Sequence, residues 1–214
     1  MGYSTIVVGA TGLVGTALVD QLAETPNINK IITLTRRPSS HSSSKVHNHV
    51  IDFERLDDYS ELFCVDILFS CLGTTRKQAG SLSAQRKVDF DFQYKVAQIA
   101  ANQGVSHYLL VSSASAHVNS NNKYLQMKGQ LEQQVQSLDF SRISIFQPSL
   151  LVGDRPDVRI GEKLGNIILP VLCLLPAFRQ FRPITGGEVA EKMLKVSQQS
   201  GSPLEWFKLD ELFG

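Results

Sequence analysis

Short apolar runs of β-type residues alternate with helical patterns along most of this chain, and this alternation limits its possible folds more than any other feature. Residues 5–8, 30–35, 50–53, 66–71, 107–112 and 142–146 have the character of strands, while residues 13–23, 82–103 and 123–138 have helical spacing. Strands that are joined by helices pair in parallel, and the helices cover both faces of the sheet. The pattern predicts an α/β protein with a doubly wound parallel sheet.

The regular alternation ends near Pro148. Beyond it lie a proline-broken apolar segment at residues 167–178, a helical pattern at 188–199 and a short amphipathic end at 204–213. The apolar segment fits a core or pocket wall, with a partner or membrane-surface patch as the alternative. A length of 214 residues fits one domain. We expect residues 1–214 to form that domain and 149–214 to form a small C-terminal extension that builds most of the substrate side.

Composition excludes several classes of partner and site. A net charge of +1 provides no field that favours nucleic acid, and the 12-residue apolar segment 167–178 is too short to span a membrane. The first residues lack the basic start of a signal peptide, and three cysteines without paired spacing indicate a reducing compartment. His47 and His49 lack further ligands nearby, so we expect no metal site. We expect a cytoplasmic protein.

A glycine-rich turn follows the first predicted strand and opens the first predicted helix. Glycines at positions 9, 12 and 15 allow a tight turn and a close approach of ligand to backbone, and the helix N-terminus offers free N–H groups to an anion. Strand, turn and helix in this order predict a Rossmann-type fold that binds a dinucleotide diphosphate. The predicted contacts are Gly9, Thr11, Gly12, Leu13, Val14 and Gly15.

Further cofactor contacts are predicted at the ends of the next strands. Arg36 and Arg37 stand where an NAD-preferring protein usually has an acidic residue, and guanidinium groups pair with a 2′-phosphate. These arginines favour NADP over NAD. Asp52, predicted to end the third strand, is a candidate adenine contact. The loop after the fourth strand would line the nucleotide with Leu72, Gly73 and Thr74.

A tyrosine and a lysine four residues apart open a predicted helix. This spacing puts Tyr124 and Lys128 on one face, together with apolar residues, while Glu132 is expected to point elsewhere. A lysine on an inward face can support ionisation of a neighbouring phenol. The preceding strand ends in two serines, of which Ser113 is the candidate for binding a substrate oxygen and Ser112 is its rival.

Together these features resemble the atypical short-chain dehydrogenase/reductases, and within them the subgroup named for the Tat-interacting oxidoreductase. The strings CLGTTR at 71–76, KVDFD at 87–91 and YLQMKG at 124–129 carry the narrower resemblance, which extends over residues 5–155. It implies that Tyr124 is the acid/base, that Lys128 assists it and anchors the nicotinamide ribose, and that Ser113 orients the substrate. Asp89 stands where the superfamily usually has an asparagine that holds a relay water, which makes Asp89 a further site candidate.

The predicted function is that of an NADP-dependent oxidoreductase, which passes a hydride between the nicotinamide and a carbonyl or alcohol carbon of a small molecule. Two alternatives stay open. One is an isomerase or epimerase that uses the cofactor transiently. The other is a regulatory or scaffold protein that binds the dinucleotide and a protein partner with little turnover. A monomer and a homodimer are both compatible with the sequence.

Overall fold

The computed structural model describes residues 2–153 and 182–213. Its strands are β1 (Tyr3–Val8), β2 (Ile28–Thr35), β3 (Val46–Val50), β4 (Ile67–Ser70), β5 (His107–Val111), β6 (Arg142–Gln147), β7 (Leu151–Val152), β8 (Ile184–Thr185) and β9 (Leu204–Lys208). Its α-helices are α1 (Leu13–Glu24), α2 (Arg76–Ala79), α3 (Leu82–Arg86), α4 (Phe92–Asn102), α5 (Lys123–Val135) and α6 (Gly186–Gln198). A kinked 3-10 segment (Phe53–Phe63), a π-helical turn (Lys87–Asp91) and a 3-10 turn (Leu209–Leu212) are also present.

Seven parallel strands form the main sheet in the order β3–β2–β1–β4–β5–β6–β9. Strand β1 lies between β2 and β4, with Thr5 paired to Ile31 on one side and to Ile67 on the other. The chain first moves outward from β1 to β3 and then returns to β4, so the direction of winding reverses beside β1. In open sheets of this kind, ligands bind at that reversal, beyond the carboxyl ends of the strands.

Helices cover both faces of the sheet, which confirms the predicted doubly wound architecture. Alternate side chains of each strand enter opposite layers, as the period of two requires. The layer under α1 and α6 includes Val7, Leu18 and Met193. The layer under α4 and α5 includes Ile6, Val96 and Leu131.

The third strand lies earlier in the chain than predicted. Residues 50–53 were expected to form it, but β3 ends at Val50 and Phe53 begins the 3-10 segment. Ile51 and Phe53 are buried without being in a strand. The observed strand contains the polar sequence His47-Asn48-His49, because an edge strand is half exposed and needs no continuous apolar run.

The helix predicted at residues 82–103 is interrupted. A π-helical turn at Lys87–Asp91 separates α3 from α4. Asp89 lies in this turn and is completely buried. Single π-helical turns inside helices occur frequently at functional sites.

Part of the predicted C-terminal extension belongs to the main fold. The amphipathic end at 204–213 forms β9, which pairs in parallel with β6, and α6 packs against α1. Strands β7 and β8 form a separate two-stranded sheet. The apolar segment 167–178 lies outside the described residues, and the substrate-side role of 149–214 stays a prediction. None of the helices in the described ranges is apolar over a length that could cross a bilayer.

A polar network joins the amino-terminal ends of β5, β6 and β9. Nη2 of Arg142 donates to Oε2 of Glu205 at 2.7 Å, and Oγ of Ser144 donates to the same oxygen at 3.3 Å. Nε2 of His107 lies 2.9 Å from the Ser144 Oγ. Burial lowers the pKa of His107 to about 4, and the Arg142 charge acts in the same direction. The buried imidazole is therefore neutral at pH 7.

Acidification should destabilise the fold through His107. Its pKa is 6.5 when unperturbed and about 4 in the folded chain, so between these values the unfolded state binds more protons. The free energy of unfolding then falls with pH by up to about 1.4 kcal/mol per pH unit. The free energy of unfolding is measured by urea denaturation at about pH 7 and about pH 5.5. Its decrease between these two pH values should be roughly 1 kcal/mol smaller in His107→Asn than in wild type. His47→Asn, on the exposed edge strand, should behave as wild type. Equal losses in wild type and His107→Asn would contradict the buried neutral imidazole.

Candidate active site

The turn between β1 and α1 brings three pieces of backbone together without side chains between them. Gly9 has a φ of +79°, a conformation that favours glycine. A Cβ at Gly9 would overlap the backbone of Cys71 at the end of β4, and a Cβ at Gly15 would overlap the carbonyl oxygen of Gly9. The packing of β1, α1 and β4 therefore requires glycine at both positions.

The N-terminus of α1 has the features of an anion site. Gly12 is the N-cap, with no side-chain hydrogen bond to the helix, and the first turn carries no acidic residue. The first N–H groups of a helix have no acceptor within it, and the helix dipole adds about half a positive charge. Thr11 is exposed at the tip of the turn, Leu13 is half-buried, and Val14 and Gly15 are buried. A diphosphate fits the N-terminus of α1 because N–H donors are available there and Gly12 has no Cβ that would obstruct its approach.

The predicted contacts beyond the turn lie after β2 and β3. Arg36 and Arg37 form an exposed bend directly after β2, and among residues 2–153 and 182–213 no carboxylate forms an ion pair with either one. Asp52 does not end a strand as predicted, because β3 stops at Val50. The Asp52 Oδ1 instead accepts the N–H of Glu54 at 2.9 Å and caps the 3-10 segment. Its contact with adenine stays a prediction.

The loop after β4 begins beside the glycine turn, since its first residues lie against Gly9. Leu72 and Thr74 are half-buried, whereas Gly73 is exposed. A Cβ on Gly73 would come no closer than 3.6 Å to the Asp89 Oδ1, so the packing of the protein itself does not require this glycine. Burial raises the pKa of the Cys71 thiol to about 12, against the opposing charge of Lys128. The thiol stays protonated and is a poor nucleophile.

Lys128 is buried between α5 and the sheet, where its charge is compensated from two directions. Its Nζ donates to the carbonyl oxygen of Val111 at 3.2 Å and lies 3.9 Å from the Asp89 Oδ1. The side chains of Lys128 and Asp89 are 3% and 0% exposed. The same Asp89 oxygen accepts the N–H of Thr74 at 3.4 Å. One carboxylate therefore connects the buried ammonium to the loop after β4.

Tyr124 and Ser113 lie on the elements that follow β5. Both side chains are half-buried. Asn122 caps α5, since its Oδ1 accepts the N–H of Tyr124 at 2.9 Å, and the helix then places Lys128 one turn further on the same side. No hydrogen bond joins Ser113, Tyr124 and Lys128 directly to one another within the described part of the chain.

The side chain of Glu132 is expected from the sequence to point away from the buried face of α5, and this expectation is wrong. Glu132 is 7% exposed, and the Nε2 of Gln147 at the end of β6 donates to both of its carboxylate oxygens at 2.9 and 3.0 Å. Burial raises the pKa of Glu132, while the hydrogen bonds from Gln147 and the charge of Lys128 oppose that shift. This carboxylate therefore joins α5 to the end of β6.

Gly129 is a positioning residue whose role sequence reasoning missed. A Cβ there would overlap the backbone of His117 in the loop between β5 and α5. The N–H of His117 donates to the carbonyl oxygen of Leu125 at 3.1 Å, and Nε2 of Gln126 donates to that of Val118 at 3.3 Å. The loop after the two serines is thus fastened along α5. The sequence signal for this close contact was the glycine that directly follows Lys128 inside a helix.

A doubly wound parallel sheet with a glycine turn from β1 into α1 defines the class of Rossmann-type α/β proteins. The chain belongs to the NAD dependent epimerase/dehydratase family, whose model matches residues 5–157. Among solved structures, MoeE5 in complex with UDP-glucuronic acid and NAD has a TM-score of 0.73 at 14% identity, covering 96% of this chain and 76% of that one. At that identity the likeness shows the fold.

Two relatives define the chain's position within the family. Protein HTATIP2 from Rattus norvegicus is 38% identical over 167 residues, which cover 76% of this chain and 69% of the relative. Protein FMP52, mitochondrial, from Eremothecium gossypii is 36% identical over 195 residues, which cover 88% and 85%. The HTATIP2 match confirms the predicted resemblance to the Tat-interacting subgroup.

The comparisons also overturn the expected cytoplasmic location. The FMP52 relatives from Eremothecium gossypii, Scheffersomyces stipitis and Saccharomyces cerevisiae are all named mitochondrial. The cysteine pattern indicated only a reducing compartment, and that property does not distinguish one such compartment from another. Location depends on a targeting signal rather than on overall composition.

Truncation of Glu132 should destabilise the fold more than its neutralisation. Glu132→Ala leaves the buried Nε2 of Gln147 without its acceptor and should lower the free energy of unfolding by about 1–3 kcal/mol. Glu132→Gln keeps an acceptor. Since burial raises the pKa of Glu132, wild type should lose stability as the pH rises from 4.5 through the raised value, and Glu132→Gln should not. Urea unfolding at several pH values measures both effects, with exposed Gln133→Ala as the control. Equal stability of Glu132→Ala and Gln133→Ala would contradict this role.

Proposed function

We propose that the chain is an oxidoreductase of the short-chain type that prefers NADP to NAD. The observation that supports it most is the buried ammonium of Lys128, held by Val111 and Asp89 one helical turn after Tyr124. This group lies at the same edge of the sheet as the glycine turn. When bound, the dinucleotide would supply or accept the hydride for a carbonyl or alcohol carbon of a small molecule.

Binding is proposed to begin at the glycine turn. The N–H groups of Leu13, Val14 and Gly15 would donate to phosphate oxygens, and Arg36 and Arg37 would pair with the 2′-phosphate. Support for NADP comes from these two exposed guanidinium groups and from the lack of an acidic residue at the end of β2. Asp52 would lie beside the adenine, and Leu72, Gly73 and Thr74 would follow the nucleotide along the edge of β4.

The proton is proposed to move at the hydroxyl of Tyr124. A positive charge one helical turn away on Lys128 stabilises the phenolate, which helps Tyr124 to accept a proton from an alcohol or return it to a carbonyl oxygen. Asp89 would hold the ammonium in place. Ser113 would hydrogen-bond the substrate oxygen. Ser112 is buried at the end of β5, whereas Ser113 is half-buried, and this difference in exposure supports Ser113 rather than Ser112 for the role.

A second candidate function is regulation by dinucleotide binding with little turnover. The Asp89 carboxylate favours it, because a negative charge 3.9 Å from Nζ weakens the help that Lys128 gives to a phenolate. In that case the glycine turn and the arginine bend would still bind the dinucleotide. Dinucleotide binding would then act by changing the contact of this chain with a protein partner.

Replacement of Tyr124 by phenylalanine separates these two functions. NADPH oxidation is measured with a panel of aldehydes, ketones and quinones. We expect turnover by wild type and a loss of roughly 10² or more in Tyr124→Phe, since the acid/base group is removed. Tyr3→Phe, an exposed tyrosine at the opposite end of β1, is the matched control and should retain wild-type rates. Equal rates for wild type and Tyr124→Phe, or NADPH binding with no turnover, would contradict the oxidoreductase.

A further inference from the structure

Asn48 is a half-buried amide in the middle of edge strand β3, opposite Thr33 of β2. Its Nδ2 donates to the hydroxyl oxygens of Thr33 and Thr35, each at 2.9 Å. Its Oδ1 accepts the N–H of Ser39 at 3.1 Å. A backbone N–H can only donate, so the Ser39 bond fixes the orientation of the amide.

Thr35 extends this connection to the arginine bend. Its Oγ1 donates to the carbonyl oxygen of Arg37 at 2.7 Å, while it accepts from Asn48. The side chain is buried at the end of β2. A hydroxyl has one proton, and the Arg37 carbonyl is nearer than the Asn48 Oδ1 at 3.3 Å. The bend is therefore held at Arg37 through Thr35 and at Ser39 through Asn48.

The rest of the connection between β2 and β3 is fastened to α1. The Nε2 of His41 lies 3.1 Å from Oδ1 of Asp20 on α1. Nζ of Lys45 donates to the carbonyl oxygen of Thr25 at 2.8 Å. Backbone groups of the bend are thus bonded by Thr35 of β2 and Asn48 of β3, and side chains further along the loop bind α1 and its C-cap. The two arginines of the bend stay exposed.

We infer that Asn48 is a specificity-positioning residue, which holds the bend so that Arg36 and Arg37 present their guanidinium groups to a 2′-phosphate. This inference rests on the proposed preference for NADP. Charge-assisted bonds from guanidinium groups to phosphate depend strongly on geometry, and a loop that is ordered beforehand loses less entropy on binding. NADH has no 2′-phosphate, so loosening the bend should weaken binding of NADPH and leave binding of NADH nearly unchanged.

The test measures the dissociation constants of NADPH and NADH by calorimetry. Wild type should bind NADPH about tenfold or more tightly than NADH, and Arg36→Ala/Arg37→Ala should abolish this preference. Asn48→Leu should reduce the preference by about three- to tenfold through weaker NADPH binding alone. Thr35→Val removes the same connection from the other side and should have a similar effect, so it serves if Asn48→Leu does not fold. His47→Ala, the exposed neighbour on β3, should match wild type.

Each other outcome overturns the inference in a recognisable way. If wild type shows no preference for NADPH, the NADP proposal fails and this inference fails with it. If the arginine double variant loses the preference while Asn48→Leu and Thr35→Val keep it, the positioning role fails and the NADP proposal stands. If the Asn48 and Thr35 variants weaken NADPH and NADH binding equally, the two side chains support the fold without affecting specificity.

Discussion

The contact of bare backbone among β1, α1 and β4 is the constraint on which the rest of the candidate site depends. Gly15 lies against the carbonyl oxygen of Gly9, and Gly9 lies against the backbone of Cys71. Only glycine allows these approaches, so the N-terminus of α1 is drawn to the carboxyl edge of the sheet at the place where the winding reverses. The same packing sets the start of the loop after β4, which connects through Thr74 to Asp89. A single steric arrangement thus aligns the proposed anion site with the buried lysine.

Around α5, buried charge is compensated rather than avoided. Lys128 has a carbonyl oxygen and a carboxylate beside it, and Glu132, one turn later, is bonded by Gln147. Ions removed from water are costly unless they are paired and hydrogen-bonded, so these contacts restrict where the helix can sit. Gly129 adds a steric constraint by bringing the loop before α5 onto the helix. The position of Tyr124 follows from this set of contacts.

The sequence predicted what depends on local pattern. Buried strands, helical spacing and the glycine turn each have a period or a spacing that can be read from one segment, so the sheet and the site helix were anticipated. The third strand was predicted too late in the chain, because Asn48 of β3 binds Thr33 and Thr35 across the sheet instead of following an apolar pattern. The orientation of Glu132 was predicted wrongly for a similar reason. A helical wheel cannot show that Gln147, at the end of another strand, donates to the Glu132 carboxylate. Contacts between segments that are distant in the sequence can be identified only when the fold is known.

Binding of a dinucleotide diphosphate at the glycine turn is tested most directly by NMR titration of the isotope-labelled chain with NADPH. The largest changes in amide signals should fall on Leu13, Val14 and Gly15, because their N–H groups would donate to phosphate oxygens. Signals of His107, at the opposite edge of the sheet, should not move. Unchanged spectra at saturating NADPH, or largest changes away from the turn, would contradict the proposed binding site.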